Sequence, residues 1–323
     1  MATGLVLGKF YPLHVGHIAL IEFAQKQCDE LIVLVCASNN ENIAGLTRLK
    51  WIQETFKNSP RIRPALLNYS EQELPNTSIP SKDVSKVWAT KITSILSKID
   101  VVFSSETYGE YLAEFLKCSS VLFEPLRTTN NISASEIRQN IFKNWGYLAN
   151  SAKPYFVKKV CICGTESTGK SILTEKLAIH FQTDFVSEMA REIIEETDEC
   201  TEQHLKQIAE LHAKAINNKL KTANKFLFVD TDINITCSYS KFLFAKELLV
   251  EKWIEEANQF DLYLYLENDA PYIQDGSRLD KQRRDKLNIF HKEELTNKRI
   301  KFELVTGNWQ ERFEKSVSLI YKL

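Results

Sequence analysis

Short apolar runs alternate with amphipathic stretches along most of the chain. Residues 31–37 and 101–103 are apolar and rich in β-branched side chains, which is typical of strands buried on both faces of a sheet. Residues 46–56 and 81–96 place apolar side chains at helical spacing, and Ser81 is a suitable N-cap. The alternation of strand and helix predicts an α/β protein whose parallel sheets bind ligands at the carboxyl ends of their strands.

A short polar stretch, residues 150–154, ends in proline and precedes a new apolar run over 156–163. A chain of 323 residues is long enough for two domains of ordinary size. We therefore predict two three-layer α/β domains with parallel sheets, residues 1–152 and 153–323.

Residues 164–171 read Gly-Thr-Glu-Ser-Thr-Gly-Lys-Ser, which is the P-loop pattern. A predicted strand precedes the pattern and a predicted helix follows it, as a P-loop requires. Backbone N–H groups of such a loop bind phosphate, Lys170 adds a charge near the β- and γ-phosphates, and Ser171 offers a hydroxyl to Mg²⁺. The residues predicted to bind ATP here are Gly164, Thr165, Glu166, Ser167, Thr168, Gly169 and Ser171.

Two acidic residues follow predicted strands of the second half. Asp230 ends the apolar run 226–229, which predicts a second ligand for Mg²⁺. Glu188 follows the short run 184–186 and could accept the proton of a substrate hydroxyl or hold ribose hydroxyls. Arg191 could bind phosphate or substrate. For Glu188 and for Arg191, a capped helix with solvated charges is the alternative. Asp232 is a further candidate for binding the substrate.

The last third of the chain contains a basic segment with Arg278, Arg283 and Arg284, which suits a mobile lid that neutralises a transferring phosphoryl group. A solvated run of charges is the alternative. Residues 304–309 predict a final strand and turn, in which Trp309 could close over adenine.

At the start of the chain, a predicted strand over residues 3–7 leads into Gly-Lys-Phe-Tyr-Pro-Leu-His-Val-Gly-His, residues 8–17. His14 and His17 stand at i and i+3 where the strand gives way to a helix. Imidazole donors at a helix N-terminus suit a triphosphate. A zinc site lacking further ligands, or two ordinary surface histidines, are the alternatives.

A second motif, Ile132-Ser-Ala-Ser-Glu-Ile-Arg138, follows about 115 residues later. Ser133 and Glu136 predict a capping box, so that the helix start and Arg138 could clamp phosphate. Together the two motifs resemble the signature of the nucleotidyltransferase superfamily with its HxGH motif. The resemblance implies a Rossmann-like domain in which both histidines hold the phosphates of ATP while the α-phosphate is attacked.

The order of the two halves resembles the bifunctional NadR-type enzymes. In that family a nicotinamide-mononucleotide (NMN) adenylyltransferase is fused to a P-loop kinase that phosphorylates nicotinamide riboside. The resemblance covers essentially the whole chain, and it implies Mg²⁺ as cofactor, ATP as co-substrate and NAD as product. For each half it also implies a set of site residues.

In the first half, the residues expected to carry adenylyl transfer are Lys9, His14, His17 and Arg138, with Gly8, Phe10 and Ser133 also binding ATP. Substrate-binding candidates are Asn39, Trp88, Ser104 and Glu106; Trp88 could stack on the pyridinium ring or be an ordinary core aromatic. In the second half, the residues expected to carry phosphoryl transfer are Lys170, Glu188, Asp230 and Arg278.

Two other functions stay open on the sequence alone. One is a different fusion of nucleotidyltransferase and nucleoside kinase. The other is a regulator that senses NAD or ATP with weak catalysis, although the intact Gly169-Lys170-Ser171 and His14/His17 argue against a pure sensor.

The charge is nearly balanced, with 41 basic and 42 acidic residues, which argues against a dedicated nucleic-acid binder. Some NadR-type proteins carry an N-terminal helix-turn-helix, whereas this chain begins at its first strand, so no nucleic-acid partner is expected. The absence of a signal peptide and of a long apolar run, together with seven scattered cysteines, predicts a cytoplasmic protein with reduced thiols. Contact with a nicotinamide riboside transporter and a homo-oligomeric state are left open.

Overall fold

The computed structural model describes residues 1–76, 79–123, 132–193, 200–270, 272 and 279–323, with backbone alone for 191 and 192. The chain divides into two compact units, Met1–Tyr155 and Phe156–Leu323. A five-stranded sheet with parallel pairing lies in each unit, which confirms the predicted fold class.

In the first unit the sheet order is β3-β2-β1-β4-β5. Its strands are β1 Thr3–Gly8, β2 Glu30–Ser38, β3 Ile62–Tyr69, β4 Val101–Ser104 and β5 Ser119–Leu122. Its helices are α1 Val15–Gln25, α2 Gly45–Thr55, α3 Lys82–Ile95, α4 Tyr108–Leu116 and α5 Ala134–Gln139, followed by a 3₁₀ turn at Trp145–Tyr147 and the short α6 Lys153–Phe156. The order reverses between β1 and β4, and a crevice at such a reversal is where open α/β sheets bind ligands.

In the second unit the sheet order is β10-β9-β6-β8-β7. Its strands are β6 Lys158–Cys163, β7 Phe185–Val186, β8 Phe226–Asp230, β9 Leu262–Leu266 and β10 Glu303–Val305. Its helices are α7 Lys170–Phe181, α8 Ala190–Ile193, α9 Glu202–Lys219, α10 Ile233–Phe244, α11 Lys252–Ala257, α12 Lys281–Asn297 and α13 Trp309–Ile320. The glycine-rich loop follows the central strand β6, which pairs with β8 on one side and with β9 on the other.

The central strands are buried because helices cover both faces of each sheet. Residues 31–38 of β2 and 226–230 of β8 are buried throughout, as their continuous apolar runs predict. None of the helices in the described ranges combines the length and the apolar character that a membrane span needs.

Two sequence predictions of local structure are wrong in part. The strand predicted from residue 156 begins only at Lys158, because the preceding residues form α6. Trp309 does not lie in a turn: it is the first residue of α13, where the Asn308 side chain accepts from the Gln310 and Glu311 N–H groups and closes a capping box with Glu311.

At Gly45, helix α2 packs closely on the sheet of the first unit. A Cβ at this position would lie 2.7 Å from Ala37 Cβ and 2.8 Å from both Leu66 Cδ1 and Asn68 Oδ1. We expect Gly45→Ala to lower the free energy of unfolding by about 1–3 kcal/mol, because the helix must move off the strands. Denaturant unfolding of the full chain measures the change.

Gly146→Ala is the matched control, since a Cβ there meets no atom within 4 Å. It should leave the stability of the same unit nearly unchanged. Equal effects of the two substitutions would contradict the packing argument.

Candidate active sites

His14 and His17 lie together at the start of α1. His14 is the N-cap, and its Nδ1 accepts the Gly16 N–H at 3.1 Å. The two imidazole rings are 3.8 Å apart between centroids. Burial lowers the pKa of His14 to about 4, and burial followed by the neighbouring His14 lowers the pKa of His17 well below its usual value. Both rings are therefore neutral near pH 7.

The Nδ1 atom of His17 is buried and has no hydrogen-bond partner among the described residues. A buried polar atom of this kind is usually satisfied by a ligand or by water. Phe10, with φ of +46°, packs its ring edge against His17 at 5.0 Å. Because the Phe10 side chain is buried, it supports His17, and only its backbone is left for the ATP contact that the sequence predicts.

The second motif contacts the loop of the first. The predicted capping box of α5 is present, because Ser133 Oγ accepts the Glu136 N–H at 3.2 Å and Glu136 accepts the Ser133 N–H at 2.7 Å. Arg138 is exposed, donates to the Tyr11 carbonyl and lies 4.9 Å over the Tyr11 ring. The structure thus brings Arg138 to the segment between Gly8 and the two histidines.

Sequence reasoning did not select two further charged residues beside this segment. Arg48 is fully buried, and its Nη1 donates to the Lys9 carbonyl at 2.9 Å. Its Nη2 lies 2.7 Å from the Glu41 carboxylate, which also lies 2.9 Å from Lys9 Nζ. Arg48 could have been selected from the sequence, because it is a charged residue on the apolar face of the predicted helix 46–56. Glu41 lies in a loop, where no sequence pattern marks it.

A cavity of about 200 Å³ opens beside Gly8 and Lys9 and is lined by Trp88, Tyr108 and Glu106 among others. Trp88 Nε1 donates to the Pro75 carbonyl at 3.1 Å, and its ring meets Tyr69 edge-on at 5.0 Å. One wall of the cavity is therefore a fixed aromatic surface, as an aromatic-cation contact would need.

Two other substrate-binding predictions for this unit fit less well. Ser104 is buried, and its Oγ donates to the Glu106 carbonyl at 2.8 Å, so it shapes the turn that carries Glu106. Asn39 is exposed at the end of β2 and is not among the described residues that line the cavity.

In the second unit, the P-loop joins β6 to α7. Gly164 and Gly169 have φ of +138° and +83°, conformations that favour glycine. Lys170 is buried, and its Nζ donates to the Thr165 carbonyl at 3.0 Å, as does Thr168 Oγ1 at 2.8 Å. Lys170 therefore lies folded against the loop whose phosphate it is predicted to bind.

Ser171 and Asp230 meet directly. Ser171 Oγ donates to Asp230 Oδ2 at 2.6 Å, and the Asp230 side chain is fully buried at the end of β8. Burial, followed by the negative charge of Glu188, raises the pKa of Asp230 to about 6. Ser171 and Asp230 are thus in direct contact, and the charge of Glu188 acts on Asp230.

The Ser171–Asp230 pair fits Mg²⁺ in its chemistry, because a hydroxyl and a carboxylate are hard oxygen ligands. Within the described part of the chain, no cluster of three or more His, Cys, Asp or Glu side chains could hold a metal ion. Mg²⁺ is commonly bound by one or two protein oxygens together with phosphate and water, so a hydroxyl and a single carboxylate would be enough to hold it.

Asp232 does not fit its predicted role. It is the N-cap of α10, where its carboxylate accepts the Ile235 N–H at 3.0 Å and the Tyr263 hydroxyl at 2.9 Å. It is buried, so a structural role replaces substrate binding. The backbone of Arg191 lies in α8 and its side chain is outside the described residues, as is the whole of Arg278.

Two buried arginines donate to main-chain carbonyl groups in and beside the P-loop. Arg284 was expected in a mobile lid, but it is buried in α12, whereas sequence reasoning assigned no role to Arg312. Arg312 Nη1 donates to the Thr168 carbonyl at 2.8 Å and its Nε to the Gly307 carbonyl at 2.8 Å. Arg284 Nε donates to the Glu166 carbonyl at 2.9 Å.

Two other predicted ATP-binding residues, Glu166 and Trp309, also have defined contacts in this region. The Glu166 carboxylate accepts the Leu279 N–H at 3.1 Å, so it contacts the segment that precedes α12. The Trp309 ring lies so close to Gly169 that no side chain could be added there. Trp309 thus contacts the P-loop from the first turn of a helix.

Comparison with known proteins agrees with this division. Residues 5–140 match the cytidylyltransferase-like family, and residues 159–312 match the AAA domain family. A solved structure described as NadR protein in complex with NAD and AMP-PNP has the same fold, with a TM-score of 0.77 at 21% identity, over 99% of this chain and 95% of that one.

Sequence relatives carry the comparison further. The trifunctional NAD biosynthesis/regulator protein NadR of Escherichia coli is 34% identical over 298 residues, 85% of this chain and 71% of the relative. Its counterpart in Salmonella typhimurium is 35% identical over the same shares. The nicotinamide-nucleotide adenylyltransferase of Thermococcus kodakarensis is 27% identical over 49% of this chain and 82% of its own length. The chain therefore belongs to the NadR family of NAD biosynthesis proteins.

Proposed function

We propose that this chain makes NAD from nicotinamide riboside in two steps, with one unit for each step. The observation that carries the proposal is that one chain holds two groups of side chains suited to phosphate: the neutral histidine pair of α1 and the Lys170–Ser171–Asp230 group. The names of the family's sequence relatives support the nicotinamide substrates. We assign adenylyl transfer to residues 1–152 and phosphoryl transfer to residues 153–323.

In the first step, the 5′-hydroxyl of nicotinamide riboside attacks the γ-phosphorus of ATP, which leaves ADP. The P-loop N–H groups hold the phosphates, and Lys170 moves from the Thr165 carbonyl to the phosphate oxygens. Glu188 suits the role of base better than Asp230, because Asp230 is buried and engaged by Ser171.

Mg²⁺ would be held by Ser171 and Asp230, where it would neutralise charge on the phosphates. We assign adenine to the surface of Trp309, which is half exposed beside Gly169. Roles for Arg191 and Arg278 in neutralising phosphate rest on the sequence pattern alone.

In the second step, the phosphate of NMN attacks the α-phosphorus of ATP, and pyrophosphate leaves. The attacking group is the substrate's own phosphate, so the protein needs no covalent nucleophile, and positioning carries the catalysis. His14 and His17, being neutral, hold phosphate oxygens through N–H donors, while Lys9 and Arg138 supply positive charge. The cavity beside Trp88 would receive the nicotinamide end.

Substitutions in the two phosphate sites should separate the two steps. We expect Lys170→Ala to slow phosphorylation of nicotinamide riboside by about a hundredfold or more and to leave the conversion of supplied NMN to NAD intact. His17→Ala should do the reverse. Chromatography of the nucleotides over time, with ATP and Mg²⁺ present, measures both steps.

Each variant is the other's control, because each should keep the activity that the other loses. Loss of both activities in either variant would contradict the division of labour. Failure of the unmodified chain to phosphorylate nicotinamide riboside, with NMN still converted, would contradict the kinase assignment alone.

Asp230 should lower the stability of the second unit near neutral pH. Its folded-state pKa of about 6 lies above the pKa of an unfolded aspartate, about 3.9, so its ionisation opposes folding. We expect Asp230→Asn to raise the free energy of unfolding by about 2–3 kcal/mol above pH 7, while phosphorylation of nicotinamide riboside is lost. The advantage should shrink to less than about 1 kcal/mol as the pH falls to about 4, where the folded-state carboxyl is protonated and the unfolded-state carboxyl is about half protonated.

Calorimetry of the full chain at the two pH values measures this difference. A variant that is no more stable than the unmodified chain above pH 7 would contradict the account of Asp230.

A further inference from the structure

Glu41 lies in the loop between β2 and α2 and is bound by two cations. One carboxylate oxygen, Oε1, is 2.9 Å from Lys9 Nζ. The other, Oε2, is 2.7 Å from Arg48 Nη2 and accepts the Ser38 N–H at 3.0 Å. The Glu41 side chain is only 8% exposed, so a single nearly buried carboxylate joins a lysine, an arginine and the end of a core strand.

The ion pair with Arg48 has a structural explanation, but the ion pair with Lys9 does not. Arg48 is fully buried, and a buried guanidinium needs an opposite charge beside it. The Lys9 side chain is 43% exposed and could remain in water, and exposed ion pairs contribute little to stability.

The position of Glu41 also has a cost for ligand binding. Lys9 belongs to the segment that carries the histidine pair, where our proposed function places the phosphates of ATP. A carboxylate at this place repels phosphate. The contact between Glu41 and Lys9 is therefore explained neither by the stability of the fold nor by the affinity for ATP.

The geometry supplies another explanation. Arg48 holds the carbonyl group of Lys9 at 2.9 Å, and Glu41 holds its ammonium group. The flexible side chain is thus fixed at both ends before ATP arrives. Fixing a catalytic group in advance raises the rate of the chemical step, and any gain in ground-state binding of ATP is opposed by the repulsion between Glu41 and phosphate.

We propose that Glu41 is a positioning residue for adenylyl transfer, which orients the ammonium group of Lys9 for the phosphates of ATP and weakens ATP binding in doing so. This inference rests on the adenylyl transfer proposed above. Its expected signature is a loss of kcat without a rise in KM for ATP, which a purely structural role would not produce.

The first test is Glu41→Gln in the full chain, which removes the charge and keeps an acceptor for the Ser38 N–H. We expect kcat for the conversion of NMN to NAD to fall about ten- to a hundredfold. As a competitor of ATP in that conversion, the analogue α,β-methylene-ATP should have an inhibition constant for the variant that equals the value for the unmodified chain, or is lower. Unchanged kcat, or weaker binding of the analogue, would overturn the proposal.

Glu54→Gln is the matched control. Glu54 lies on α2, the same helix as Arg48, and pairs with Lys57 at 2.9 Å on the exposed surface. This variant should keep both kcat and the affinity for the analogue.

The second test compares Glu41→Gln in the unmodified chain and in Lys9→Ala. If Glu41 acts through Lys9, the substitution should change kcat less than about twofold once Lys9 is absent. An equal loss in both backgrounds would assign the effect to Arg48 and structure, and would overturn the proposal.

Thermal unfolding accompanies each assay, because Arg48 loses a counter-charge in Glu41→Gln. If that variant melts below the assay temperature, Glu41→Asp replaces it: it keeps the charge for Arg48 and shortens the reach to Lys9, with the same expected loss of kcat. No conversion of NMN by the unmodified chain would refute the proposed function, whereas normal conversion by all Glu41 variants would refute this inference alone.

Discussion

Arginine side chains hold the main-chain carbonyl groups of both phosphate-binding segments. Arg48 and Arg138 donate to the carbonyls of Lys9 and Tyr11 in the first unit. Arg284 and Arg312 donate to those of Glu166 and Thr168 in the second. A loop that offers its N–H groups to phosphate turns carbonyl groups the other way, and buried carbonyl groups need donors. The buried Arg48, Arg284 and Arg312 supply these donors, and Arg138 adds a contact at the surface, so the shape of each loop is set before a ligand binds.

In both sites, lysine and arginine carry the positive charge, and burial sets the protonation of the other titratable groups. Positive charge comes from lysine and arginine, while burial keeps the histidine pair neutral and raises the pKa of Asp230. The first site therefore attracts phosphate through Lys9 and Arg138 and does not need a charged imidazole. In the second site, Glu188 is available for a hydroxyl proton and Asp230 for a metal ion. Preorganised charge of this kind is the main means by which proteins accelerate transfer of phosphoryl and adenylyl groups.

Motifs that are continuous in sequence were predictable, and contacts between distant segments were not. The P-loop, the capping box at Ser133 and the strands of both sheets follow from local patterns. Asp230 and Asp232 look equivalent in sequence, but one ends β8 beside Ser171 and the other caps α10. Arg312 lies 144 residues from the carbonyl it holds, and no local pattern reveals such a partner.

The most direct test of two transfers by one chain is the fate of the ATP phosphates. Unmodified protein would be incubated with nicotinamide riboside, Mg²⁺ and ATP labelled at either the α- or the γ-phosphate, and the NAD formed would be cleaved to NMN and AMP. The account predicts that the γ-label appears only in NMN and the α-label only in AMP. NAD without γ-label in its NMN half, or no NAD at all, would contradict it.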